Sequence, residues 1–494
     1  MSEYLHGAYG DTQNTGFRVA ARSDSAIVVI GTAPVHTVAG GAANVNVPKL
    51  VNNIAEARKL FGYSENWADF TLCEAMHHFF ENKAIGPLVL INVFDPAVHK
   101  ASQGGTKSLT PVNNRVTVTN AESVVLDSVV VKNADQETLV KGTDYSIGYS
   151  IAKQSVIITG LTAGSLGTDA LTITYDIADP SAVDADDVIG ASDGLGENTG
   201  LYAIKNVYQL TGTVPAYLIA PGFSDIPAVH EAMRANTVKV NGHWDMWMFT
   251  DLPLTDSSTP LTMETVVQWK ETHGYDKENE TVYFPMAQGA DGKKYHLSVL
   301  AAANFAELLA ANDGIPYHSA SNTEAVVIEK LYMGEANEGK VFDDSIINEK
   351  LNKNGIASAA FVGGRWVIWG AHAADYNPEN ADAVNVSETN RMMLFYVSNN
   401  FQLRRPMNVD KPLTANDIAS IVSEEQNRLD ALKAMGALLY GEAALSAEAM
   451  QDSDVYNGDY VFEFRVTTVP LAKSLKAIVA WVDDGFATYY STEA

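Results

Sequence analysis

The sequence predicts an α/β (α+β) multidomain chain with a mixed-sheet core, an inserted small β-sandwich domain, and extended N- and C-terminal arms. Three observations predict it. Short apolar runs alternate with helical text before residue 103 and again after 180. Between those positions the text becomes rich in Val, Thr and Ile, with turn residues at short intervals. Both ends are aromatic segments that carry no core of their own. A length of 494 residues suits two to four domains, at about 100–200 residues per domain. A hydrophobic content of 46% is ordinary for a globular protein with real cores.

Residues 1–22 are Gly- and Tyr-containing and poor in apolar runs, so they read as an arm. "SAIVVIGTAP" (25–34) reads as a buried strand ended by Gly31 and Pro34. "NNIAEARKLFG" reads as a helix stopped by Gly62, and "WADFTLCEAMHHFFENKA" as a second helix. "GPLVLINVFD" (86–95) is a second buried strand. Strand, helices, strand makes an α/β unit with a parallel pair over 23–102.

Strands are expected at 115–119, 124–131, 144–149, 155–159 and 171–177. Their spacing of about 8–12 residues suggests a sandwich, inserted over 103–180. The α/β text resumes over 181–360. It has helices at 200–210, "DIPAVHEAMRANTVKV" and "ETVVQWKETHG", strands at 215–220, "HWDMWMFTDLP" and "ETVYFPMA", and the long helix "LSVLAAANFAELLAANDG". A C-terminal domain is expected over 361–482. In its helix 415–435, Ile418, Ile421, Val422, Leu429 and Leu432 form the apolar stripe, and Thr414 with Asp417 a box-like start. "DYVFEFRVTTVP" (459–470) alternates cleanly, and "SLKAIVAWVDDGFATYYS" reads as one or two further strands. Residues 483–494 form the C-terminal arm.

Composition excludes several classes of chemistry. A single cysteine, Cys73, rules out an intramolecular disulfide and a Cys-based zinc site. A net charge of −27 argues against nucleic acid and anionic membranes as partners. No window is long and apolar enough for a membrane span, and the N-terminus has no signal-peptide pattern, so synthesis in the cytoplasm is expected. There is no P-loop, no HExxH and no GxSxG, and no cofactor is expected. "GASDGLGENTG" (190–200) reads as a turn rather than a phosphate cradle. His77, His78 and Glu81 read as a core-edge group, because adjacent helical positions point about 100° apart. "DADD" (184–187) lacks the glycine and distal glutamate of a calcium loop. Trp366 and Trp369 read as core-strand aromatics.

Several stretches share one resemblance. They are "SAIVVIGTAP", "VPKLVNNIAEARKLFG" with "AMHHFFENKAIGPLVLINV", and "ADDVIGASDGLGENTGLYAIKNVYQLTGTVPAYLIAPGF". "VGGRWVIWGAHAA", "NNFQLRRPMNVDKPLTANDIASIVSEEQNRLDALKAMGALLYG" and "DYVFEFRVTTVPLAKSLKAIVAWVDDGFATYY" follow. In order and spacing they resemble the contractile tail sheath family, in the branch of temperate contractile-tailed phages and phage-tail-like bacteriocin particles. The resemblance skips about 103–180. The family's polar "WGNRT" is here "WGAHA", with Ala371, His372 and Ala373, so any role of that Arg or Thr is in doubt.

The resemblance implies a non-enzymatic subunit that stacks in six-subunit rings around a tail tube and contracts to drive the tube through an envelope. Implied partners are further copies of the chain, the tube protein, and baseplate and tail terminator proteins. The implied location is a phage tail or tail-like particle. Arms that add strands to neighbouring sheets would be carried here by Tyr4, His6, Tyr9, Phe486, Thr488, Tyr489 and Tyr490, with Asp483, Asp484 and Gly485 as the hinge. Arg404, Arg405, Arg428 and Lys433 are candidates for a tube-facing basic surface, set against ordinary pairing with Glu424, Glu425 or Asp430. The alternative is a soluble multidomain α/β hydrolase whose β insert binds carbohydrate. An adhesin is disfavoured by the missing signal peptide.

Overall fold

The computed structural model describes residues 25–337, 339–379, 382–446 and 456–486. The chain divides into two compact units, one ending at Thr414 and one beginning at Ala415.

The first unit opens on β1 (Ser25–Gly31), whose residues are almost all buried. An uninterrupted apolar run suits a strand covered on both faces. β2 (Lys49–Val51) precedes α1 (Ile54–Phe61). The Asn53 side chain caps α1 by accepting the Glu56 N–H, and Gly62 ends it at φ 74°. α2 (Thr71–His77) runs on into a π-turn, and β3 (Leu88–Asn92) follows.

The next strands are β4 (Gly105–Leu109), β5 (Arg115–Val118), β6 (Val130–Lys132), β7 (Tyr145–Ser150), β8 (Ser155–Gly160) and β9 (Leu171–Tyr175). They form two antiparallel three-stranded sheets, ordered β4-β9-β6 and β5-β8-β7. Val116, Val131, Tyr145, Ile158 and Ile173 share one apolar cluster between them. Residues 124–131 do not make the single strand expected, because Leu126–Ser128 form a 3-10 turn closed by the Ser128 hydroxyl on the Val125 carbonyl.

α3 (Ala185–Ile189), a 3-10 segment at Gly200–Asn206, and α4 (Val207–Thr211) lead into β10 (Val214–Ile219). Then come α5 (Pro227–Thr237), β11 (Trp247–Asp251), the small hairpin β12 (Thr255–Asp256) and β13 (Thr259–Pro260), and α6 (Thr265–His273). β14 (Glu280–Tyr283), β15 (Met286–Gly289), β16 (Lys294–Tyr295), α7 (Leu297–Ala311) and β17 (Ile328–Tyr332) follow. α8 (Asp344–Lys350), β18 (Ile356–Val362), β19 (Arg365–Trp369) and α9 (Glu388–Arg404) complete the unit. The boundary expected at 360/361 falls inside β18.

Eight strands form the central sheet, ordered β19-β18-β14-β11-β10-β1-β3-β2. The pairs from β3 across to β18 are parallel, and the two outermost pairs, β2/β3 and β18/β19, are antiparallel. The sheet is mixed, and the α/β (α+β) class expected from the sequence is the one observed. On one face Ile27, Val29, Leu90 and Phe249 pack with α1, α2 and α7. On the other, Val28, Ile30, Leu218 and Met248 pack with α5 and the 3-10 segment at 200–206. Strand alternation divides the side chains between these two cores.

In the second unit, α10 (Ala415–Ala434) packs on β20 (Leu438–Leu445), which pairs antiparallel with β21 (Phe462–Thr468). Among the described residues these two strands form the unit's sheet. The further strands expected after residue 470 are absent among the described residues, since 469–482 hold no regular structure.

Candidate assembly surfaces and the strand-end cleft

The stripe on α10 divides into two parts. Ile421, Leu429 and Leu432 are buried, whereas Ile418 and Val422 are half-buried. These last two line a groove of about 540 Å3 with Ala415, Ala419, Ala443 and Leu445. Gln426 fixes the groove's inner wall. Its Nε2 donates to the Gly441 carbonyl at 3.1 Å, and its Oε1 accepts the Ala443 N–H at 2.9 Å. One side chain thereby does the hydrogen bonding of a neighbouring strand along that stretch of β20.

From residue 472 to 486 the chain is exposed. Leu475, Ile478, Val479, Trp481 and Val482 are each 63–92% exposed. Scattered exposed apolar residues are ordinary, but five large ones within eight residues are not. Fully burying such side chains is worth about 1.5–3 kcal/mol each. Residues 484–486 turn helically, and the Phe486 N–H bonds the Asp483 carbonyl at 2.9 Å. Phe486 is therefore in a turn and not in a strand. Thr488, Tyr489 and Tyr490 lie outside the described residues, as do Tyr4, His6 and Tyr9. The sequence suggests one or two further strands over 474–491, whereas 475–482 are exposed and hold no regular structure. Their only sequence signal is an apolar run with no packing partner in the text around it.

The basic residues have local partners. Arg428 lies 3.9 Å from Glu425, and Lys433 lies 3.1 Å from Asp430. Both pairs are i,i+3 on α10, the geometry of ordinary helix-surface pairing. Bonds from Lys433 and then Gln426 hold the Asp430 carboxyl below its usual range. Arg404 ends α9, and the Arg405 guanidinium lies 5.9 Å above the Phe401 ring.

Open α/β sheets bind ligands outside the carboxyl ends of their strands, where strand order reverses. Here that point lies between β1 and β10, and polar side chains gather near it. Glu74 accepts both the backbone N–H of His296 at 2.6 Å and its Nδ1 at 2.7 Å. Asp251 accepts the Ser298 N–H at 3.0 Å and its hydroxyl at 2.5 Å. Burial opposes a charge on His296, but Glu74, with Asp251 and Asp225 beyond it, pushes the imidazole pKa up to about 10. Burial pushes the Asp251 carboxyl up to about 6, against the His296 charge and then the bonds from Ser298. An imidazole of that pKa is already protonated at neutral pH and accepts no proton from a nucleophile. The Ser298 hydroxyl spends its proton on Asp251. This group is an ion-pair lock rather than a nucleophile–base pair.

The remaining sequence candidates also resolve into structure. Asp184 and Asp187 make a reciprocal capping box on α3, so "DADD" caps a helix. His77 pairs with Glu81 at 2.7 Å, while burial lowers the His78 pKa to about 3. No cluster of three or more metal-ligating side chains occurs among the described residues. Cys73 is buried, and burial pushes its thiol up to about 12. Residues 190–200 form a hairpin closed by a bridge between Ser192 and Asn198. Trp366 and Trp369 flank the buried Val367 and Ile368, and their indole N–H groups donate to the Glu329 carbonyl and Asn348 Oδ1. No helix among the described residues is long and apolar enough to cross a membrane.

No family model matches the chain. Over 243 residues the chain is 30% identical to the tail sheath protein of Burkholderia phage BcepMu, which is 48% of this chain and 47% of that protein. The matched stretch is thus about half the length of this curated relative. Three solved structures are similar over nearly the whole chain. A chain of the anti-feeding prophage baseplate, 6-fold symmetrised, has TM-score 0.57 and 12% identity, covering 97% of this chain and all of that one. The helical sheath of the same prophage in its contracted state has TM-score 0.55 and 12% identity, covering 98% and 100%. The sheath complex of an extracellular contractile injection system, PVC, also contracted, has TM-score 0.52 and 11% identity, covering 98% and 99%. The chain is therefore similar to contractile tail sheath proteins, in sequence over half its length and in fold over nearly all of it.

Proposed function

We propose that this chain is the structural, non-enzymatic subunit of a contractile tail sheath. It polymerises on itself as stacked six-subunit rings around a tail tube, held extended in a metastable state. Contraction drives the tube through a bacterial envelope. The subunit is made in the host cytoplasm and works in a phage tail or tail-like particle, alongside tube, baseplate and tail terminator proteins.

The observation that carries this reading is the uncovered apolar segment Leu475–Val482. A soluble monomer has no use for it, whereas a polymer covers it with a neighbour. Its partner is the α10/β20 groove of the next copy, whose half-buried Ile418 and Val422 match it in chemistry. Covering five such side chains amounts to a gross gain on the order of 10 kcal/mol before ordering costs. An arm fixed this way tethers neighbours while their globular faces slide, with Asp483–Gly485 as hinge and the N-terminal arm around Tyr4, His6 and Tyr9 adding a second tether. Such contacts are heterologous and build an open helix. Energy stored at assembly drives contraction, which needs no nucleotide. Arg404, Arg405, Arg428 and Lys433 remain candidates for a tube-facing basic surface. The hydrolase alternative gains nothing from the strand-end cleft, where the imidazole is locked to Glu74.

Negative-stain electron microscopy tests this. The purified chain is expected to form tubes. The double variant Ile478→Asp, Trp481→Asp is expected to stay as discrete particles with unchanged circular dichroism. Tubes from the double variant would refute the role of the segment. An unmodified chain that stays small at every concentration would refute the polymer.

A further inference from the structure

A polar pocket in the first unit plays no part in the sheath reading. It has a volume of about 620 Å3. Three segments build it: the 192–198 hairpin, the stretch from Lys205 to Gln209 where the 3-10 segment passes into α4, and the loop from Asn241 to Trp244, with Gln402 of α9 at its wall. The hairpin reaches over because Gly194 and Gly196 take φ of 74° and 115°, which a side chain would resist.

The lining is rich in amides and aromatic at its base. Asn198, Asn206, Gln209, Asn241 and Gln402 all face the space. Three of these are held in place. Asn198 Nδ2 donates to Asn206 Oδ1 at 2.9 Å, Asn241 Nδ2 to the Lys205 carbonyl at 2.6 Å, and Gln402 Nε2 to the His243 carbonyl at 2.9 Å. The fixed Asn198 amide leaves its Oδ1 buried with no donor. Such an acceptor carries a desolvation cost until something donates to it. The Tyr208 ring, 38% exposed, is backed by Trp244 at 5.3 Å between centroids. In a chain of net charge −27, no carboxylate lines this pocket. Asp193 of the hairpin is turned inward onto the N–H groups of Leu195 and Glu197. Lys205 is the one charged liner, and its Nζ sits 4.9 Å from the Tyr202 ring.

We propose that this pocket binds a hexopyranose unit of a neutral glycan. A pyranose offers a C–H face for the Tyr208 ring and hydroxyls that both donate and accept, as amides do. A hydroxyl donor satisfies Asn198 Oδ1. A polyanion would find a single lysine, and a wholly apolar ligand would leave the amides unpaired. The site is independent of the sheath reading and stands or falls separately from it.

Saturation-transfer NMR on the full chain tests it. The probes are methyl glucoside, methyl mannoside, methyl galactoside, N-acetylglucosamine and, as the anionic control, glucuronate. Transfer to the ring C–H protons of at least one neutral probe is expected. Tyr208→Ala is expected to weaken binding about tenfold, and Gln209→Ala, at an exposed position that leaves the fold intact, about threefold. Silence from every neutral probe overturns the proposal. So does transfer to glucuronate alone, which assigns the site to Lys205 and an anion. Neutral binding that survives Gln209→Ala and a folded Tyr208→Ala overturns the placement; if Tyr208→Ala fails to fold, Gln209→Ala alone decides.

Discussion

At the scale of single residues, His296 ties pH to stability. Its folded pKa of about 10 lies above the unfolded value of about 6.5. A raised imidazole pKa contributes stability in full below the unfolded value, and that contribution is lost as pH climbs through the folded one. Asp251 works in the same direction. Its carboxyl, raised to about 6, binds a proton more readily in the folded chain, so its cost at neutral pH is relieved as pH falls through that value. Both effects place greatest stability on the mildly acidic side of neutrality. The melting temperature is expected to fall steadily from pH 7 to 10, followed by circular dichroism. Glu74→Gln removes the main attraction on His296, so it should flatten that slope and lower stability at pH 7 by about 3–5 kcal/mol. A slope that persists unchanged in Glu74→Gln belongs to another group.

At the scale of elements, the seating of α10 on β20 depends on a missing side chain and a present one. A Cβ on Gly441 would lie 2.9 Å from the Leu429 Cβ, closer than packed carbon atoms come. Gly441→Ala is therefore expected to push the helix outward, at about 1–3 kcal/mol. Gln426→Ala instead leaves the Ala443 N–H and Gly441 carbonyl without their bonds, at about 1–2 kcal/mol. Chemical denaturation of the two variants checks both values. An unchanged midpoint for Gln426→Ala would mean that water replaces the amide without loss.

The elements that were legible in the sequence share one physical trait: their burial is decided nearby. β1 and β3 are short apolar runs covered on both faces, and Gly62 ends α1 where a left-handed residue is needed. The alternation of β21 likewise shows in the text. Residues 475–482 have the same apolar composition as a core strand, yet no partner within their own subunit covers them among the described residues. Composition reports the wish to be buried and not the molecule that satisfies it. β4 went unread because its Thr106, Lys107 and Ser108 are exposed and carry no apolar signal. The lock between Glu74 and His296 spans 222 positions, and the amide pocket joins segments from Ser192 to Gln402. No local pattern announces either one.

At the scale of the whole molecule, the β-rich segment is built to be separable. Its strands share a core of their own. Its two ends meet: the Ala101 N–H bonds the Ile177 carbonyl at 2.8 Å, and Lys100 bridges to Ala178. A short linker from 101 to 178 therefore closes the gap without moving the sheet. The main losses are at one seam. His36 Nε2 lies 2.6 Å from the Glu122 carbonyl, the Gly40 N–H donates to Asp127 at 2.7 Å, and Val125 belongs to the main core. His36 is buried there and its pKa is lowered to about 4, so excision exposes an imidazole that the intact fold keeps neutral. Removing these interactions is expected to cost about 2–4 kcal/mol, which a unit with three other apolar clusters survives. The excised chain should melt cooperatively at a lower temperature and still form tubes under the electron microscope, because the segment proposed to join neighbours, Leu475–Val482, lies outside it. A chain that melts cooperatively but no longer polymerises would place the insert within the subunit contacts, and its exposed Val112, Val140 and Leu161 would then be the first residues to test for a neighbour's surface.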